Sequence, residues 1–116
     1  MALRGFFGGS NVFRVCKTVE ISAAHRLPGH PKCGKTHGHN YRITVWAEAE
    51  RLDCNGMVVD FGKVSDIVKQ FDHTTIKLNP STAECLAKHL CEKIPNTTRV
   101  RVEETPSCWS EYEVYP

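Results

Sequence analysis

Two alternating segments, separated by a loop that can continue neither, constrain this chain more than any other feature. From Phe13 to Ile21, the residues Phe13, Val15, Val19 and Ile21 share one parity, with Lys17 the exception. From Tyr41 to Ala47 the same period returns in Tyr41, Ile43, Val45 and Ala47. A period of two puts each set on one face of a strand. Between them runs GHPKCGKTHGHN, residues 29–40, with three histidines, three glycines and one cysteine.

Further on, the short apolar piece Met57-Val58-Val59 follows the turn signal Asn55-Gly56 and reads as a brief third strand. The period then changes. Val64, Ile67, Val68 and Phe71 form a helical stripe, with Asp60 as the N-cap. Ser81-Thr82-Ala83-Glu84 matches a capping box, and Ala83, Leu86, Ala87, Leu90 and Ile94 form one apolar face ending at Pro95-Asn96. Val100 and Val102 alternate into Glu104, and Trp109 to Tyr115 reads as a last strand. The order β-β-(short β)-α-α-β-β predicts an α+β layer architecture: an antiparallel sheet of four main strands with both helices on one face.

At 116 residues the chain is expected to form a single domain, 1–116, with residues 1–11 a flexible lead-in. A net charge of +2 gives no electrostatic case for nucleic acid. No apolar run approaches membrane-spanning length, and MALRGFFGGSNVF is a poor secretion signal. The six cysteines are scattered without a CxxC pair, which argues for a reducing compartment, by default the cytoplasm.

Strand parity gathers the chemistry. His37 and His39 project together, and His25 lies on the apolar parity of Ile21 and Ala23. A hairpin brings the three imidazoles together as zinc ligands with a fourth position open. Cys33 has two readings: a fourth ligand closing a structural site, or a free thiol whose thiolate is favoured by the metal, Lys32 and Lys35. His30 reads as a solvated loop histidine. Asp72-His73 reads either as a helix C-terminal cap or as an acid/base pair. Glu104 is either a surface strand-end residue or an inward carboxylate able to accept the paired N–H and NH₂ donors of an aminopyrimidinone ring.

In order, ISAAHRLPGHPKCGKTHGHNYRI, GMVVDFG, FDH, LNPSTAE and VRVEET resemble the 6-pyruvoyltetrahydropterin synthase-like family from about Phe13 to Tyr112. The short Cys33–His37–His39 spacing resembles the 6-carboxytetrahydropterin synthases of queuosine biosynthesis in particular. The resemblance implies the tunnelling fold, zinc held by His25, His37 and His39, a catalytic Cys33, and an Asp72–His73 dyad. It implies that Glu104, backed by Thr105, anchors a pterin ring. It further implies a homo-oligomer, a hexamer of two trimers with sites at subunit interfaces, so that a neighbour can supply the dyad. The implied reaction is a lyase conversion of 7,8-dihydroneopterin triphosphate to 6-carboxytetrahydropterin, acetaldehyde and triphosphate. Arg26, Lys35 and His30 are candidates for the triphosphate by position. A pyruvoyl-forming synthase, another pterin side-chain lyase and a non-enzymatic zinc module are the alternatives. The sequence departs from the family in a compact Val64–Asn79 stretch, which bears on the position of the dyad.

Overall fold

A computed structural model describes residues 11–31 and 34–114. The elements are β1 (Phe13–His25), β2 (His37–Ala49), α1 (Phe61–Lys69), β3 (Thr74–Thr75), α2 (Ala83–Lys93), β4 (Thr97–Thr105) and β5 (Cys108–Glu113). They form one sheet in the order β3-β1-β2-β4-β5. The four long strands are antiparallel to their neighbours, and only β3 runs parallel to β1. The α+β class and the helix placement match expectation: α1 packs on β1, and α2 packs on β4 and β5.

The sheet has five strands rather than four, and the short one is not where the sequence pattern places it. Residues 57–59 are irregular. Asp53 takes the backbone N–H groups of Asn55 and Met57 at 2.8 and 3.0 Å, and the Val58 carbonyl accepts the Asn96 amide at 2.8 Å. Side chains thus satisfy this backbone, and Val58 and Val59 enter the core from a loop. The extra strand is the two-residue β3, hydrogen-bonded beside Ala23 and Ala24.

The core joins Ile21, Tyr41, Ile43, Val45, Val100 and Val102 to the helix residues Val64, Val68, Leu86 and Leu90. Lys17, on the inward parity of β1, is half-buried where its neighbour Val19 is buried. Asp60 caps α1 as expected, accepting from Gly62 N at 2.7 Å. The cap of α2 is Thr82, one residue later than the capping box places it. Ser81 is diverted: its hydroxyl donates to the Arg26 carbonyl at 3.1 Å.

Asn96 ends the turn after α2 with a φ of 59°, in the left-handed region, while its amide holds Val58. Asn96→Gly keeps that backbone freedom and loses the amide bond, which is expected to cost about 1 kcal/mol. Asn96→Ala is expected to cost about 1 kcal/mol more, because alanine strains at this φ. Urea unfolding of the two variants beside wild type checks the order.

Candidate metal centre and adjoining cleft

Cross-strand pairing assembles the centre. In the β1–β2 register His25 faces His37, and Ala23 faces His39, so His39 lies diagonal to His25 on the same face. The Nε2 atoms of His25 and His37 are 2.8 Å apart, and those of His39 and His25 are 3.1 Å apart. One ligand atom from each of the three residues falls within 4.8 Å of the others. The convergence expected from parity is present.

The outer ring nitrogens fix the protons. His25 Nδ1 lies 2.7 Å from the Ser81 carbonyl, and His37 Nδ1 lies 2.8 Å from the Lys35 carbonyl. A carbonyl oxygen only accepts, so each Nδ1 carries the hydrogen. In the neutral rings both Nε2 atoms then present bare lone pairs to each other. Such an arrangement repels itself unless a cation or proton lies between the nitrogens. It is the arrangement of metal-ligating histidines held by carbonyls behind them. The residues therefore fit a metal ion. Burial lowers the pKa of His39; Glu104 opposes that shift, and the neighbouring His25 and His37 add to it.

Glu104 stands beside the triad, with Oε2 3.8 Å from His39 Nε2. With Gly38, His39, Asn40 and Arg42 it borders a cleft of about 490 Å³. Its inward parity, one of two readings of the sequence, is the observed one. Thr105 lies in the same cleft, with its hydroxyl 3.3 Å from Ser107 Oγ. Tyr41 lies beneath the triad, with ring centroids 5.4 Å from His39 and 6.1 Å from His25. Its pKa is pushed well above the ordinary phenol range, first by burial and then by the charge of Glu104.

Asp72 and His73 lie on the other flank of β1. Asp72 Oδ1 accepts from Ser22 N at 2.8 Å, His73 N donates to Ser22 O, and His73 Nε2 is 3.6 Å from Asp72 Oδ2. The His73 side chain is 82% exposed, and His73 and His39 border one open depression. The compact stretch after α1 thus forms β3 and pins the pair to the sheet. Cys33 lies outside the described residues. Arg26, a triphosphate candidate, donates through Nε to the Gly34 carbonyl at 2.8 Å and ties down the far side of the loop.

Sequence reasoning missed two contributors. The capping pattern assigns Ser81 only to a helix start, and the apolar alternation assigns Tyr41 only to the core. The position of Tyr41 on the parity of His37 and His39 was the available signal.

His25→Ala is expected to weaken divalent-metal binding at least about 100-fold. It is also expected to destabilise the metal-free protein by about 2 kcal/mol, by orphaning the buried Ser81 carbonyl. Metal titration and thermal melting check both. The lowered pKa of His39 means that the unfolded chain binds the proton first as pH falls below 6.5. The contribution of neutral His39 is therefore full above that pH and is lost as pH falls through the folded value. His39→Gln should flatten the acid limb of metal-free stability against pH.

Residues 14–114 match the family model described as 6-pyruvoyl tetrahydropterin synthase. A protein of Archaeoglobus fulgidus named "Putative 6-carboxy-5,6,7,8-tetrahydropterin synthase" is 41% identical over 104 residues, covering 81% of this chain and 90% of its own. The 6-carboxy-5,6,7,8-tetrahydropterin synthase of Bacillus subtilis is 27% identical over 123 residues, covering 86% of this chain and 84% of its own. The solved 6-pyruvoyl tetrahydropterin synthase of Caenorhabditis elegans superposes with a TM-score of 0.73 at 27% identity, over 90% of this chain and 96% of that one. With the family model spanning nearly all described residues and the fold matching a solved member, the chain belongs to the 6-pyruvoyl tetrahydropterin synthase family and is an enzyme of the lyase type.

Proposed function

We propose that the protein is a zinc-dependent 6-carboxytetrahydropterin synthase of queuosine and 7-deazapurine biosynthesis. In this reading it converts 7,8-dihydroneopterin triphosphate to 6-carboxytetrahydropterin, acetaldehyde and triphosphate. The observation that carries the reading is the convergence of His25, His37 and His39 beside the Glu104 carboxylate, in a chain 41% identical to a relative of that name. The C. elegans neighbour supports a second reading, a pyruvoyl-forming synthase on the same site.

His25, His37 and His39 would hold zinc, which would supply Lewis acidity toward the side-chain hydroxyls and make the neighbouring protons more acidic. The protein groups do the rest. Glu104 accepts the ring N–H and NH₂ hydrogens side by side and sets the pterin in the cleft. Cys33 Sγ, as thiolate, removes a side-chain proton. Asp72, whose Oδ2 lies 3.6 Å from His73 Nε2, orients the imidazole that returns a proton to the departing side. The exposed His73 at the β3 edge suits a dyad offered to a neighbouring subunit, in the hexamer of two trimers that this reading includes. A single domain and a cytoplasmic site of action complete it. No helix among the described residues is long and apolar enough to cross a membrane.

Anaerobic incubation of zinc-loaded protein with the triphosphate substrate, with products identified by mass, tests the assignment. A 6-carboxy pterin with acetaldehyde is expected, and a 6-pyruvoyl pterin would favour the second reading. Cys33→Ala is expected to retain one zinc per chain and lose at least about 100-fold in turnover. Loss of the metal with that change would make Cys33 a fourth ligand instead.

A further inference from the structure

Tyr41 is 1% exposed, and its hydroxyl has no hydrogen-bond partner among the described residues. A phenylalanine would fill the same space without a buried donor to satisfy. The ring packs against those of His25 and His39, with centroids 6.1 and 5.4 Å away, so the tyrosine lies beside the histidine cluster. The β2–β4 register pairs Arg42 with Glu103. The paired residues end there; continuing that register by one residue would set Tyr41 opposite Glu104, which shares the parity of the buried Val100 and Val102. The carboxylate leans toward the imidazoles instead, 3.8 Å from His39 Nε2.

That position is awkward for a ring anchor. A carboxylate so close to His39 Nε2, in a cluster where the Nε2 atoms of His25 and His37 are bare, is within easy reach of any cation the three histidines hold. To receive two ring hydrogens in its own plane, Glu104 has to be held off that cation by another donor. Tyr41 is the unspent donor on the facing strand. We infer that Tyr41 is a positioning residue: its hydroxyl donates to the Glu104 carboxylate when the pterin ring is bound, turning that carboxylate away from the histidines and toward the ring. The inference rests on the proposed role of Glu104 as the pterin anchor.

The test uses the zinc-loaded full chain and 7,8-dihydroneopterin as the probe, with wild type, Tyr41→Phe, Glu104→Gln and the double variant. Tyr41→Phe is expected to melt no lower than wild type, since it removes an unpaired buried hydroxyl, and to bind the probe about tenfold more weakly. In turnover its loss falls on KM rather than kcat. The double variant is expected to bind no more weakly than Glu104→Gln alone, because the tyrosine acts through the carboxylate. Wild-type affinity in Tyr41→Phe, or losses that multiply in the double variant, would overturn the inference. A lower melting temperature for Tyr41→Phe would also overturn it, by showing that the hydroxyl has a structural partner. Unchanged binding by Glu104→Gln would instead remove the anchor reading itself, and the two failures are distinguished by which single variant is silent.

Discussion

The β1–β2 register is the constraint on which everything else rests. One set of pairings, from Phe13 opposite Ala49 to His25 opposite His37, decides both what is buried and what can bind. The face that carries Ile21, Ile43 and Val45 into the core carries His25, His37 and His39 at its open end. A slip by one residue would turn the apolar residues of the moved strand to solvent and separate its histidines from those of the other. Folding energy and site assembly are thus drawn from the same alternation, and the histidine cluster is the end of the core rather than an addition to it.

Proton placement is the second layer. The Ser81 and Lys35 carbonyls come from different parts of the chain, the approach to α2 and the end of the histidine loop, yet each fixes one imidazole. Ser81 also explains the displaced cap of α2. Its carbonyl serves His25 and its hydroxyl serves Arg26, which leaves Thr82 to cap the helix by accepting from Cys85 N. A helix start is thereby coupled to a histidine of the cluster on another element.

The long strands, both helices and the histidine triad were legible because each depends on short-range periodicity, which sequence displays directly. Asp60 was legible as a cap for the same reason. The short strand was not. Whether Met57–Val59 or Thr74–Thr75 pairs with the sheet depends on Asp53 and Asn96 satisfying one backbone and on β1 offering an edge to the other. Glu104 had two readings because parity alone does not say where a strand end meets its neighbour. The Tyr41 hydroxyl was hidden by its own ring, which counts as core in any apolar pattern.

Lys17, the one break in the apolar parity of β1, gains meaning from how little of that strand β3 covers. Pairing with β3 reaches only Ala23 and Ala24, and Asp72 and His73 close the edge at Ser22. From Phe13 to Ile21 that side of β1 is an edge with no strand beside it among the described residues. A long bare edge invites indiscriminate strand addition and aggregation, and a charge on the inward face of such an edge is a recognised deterrent. Any chain that adds there must bring a counter-charge or leave an ammonium group pressed into an apolar seam. Lys17 thus places a charge on the stretch of β1 that β3 leaves uncovered.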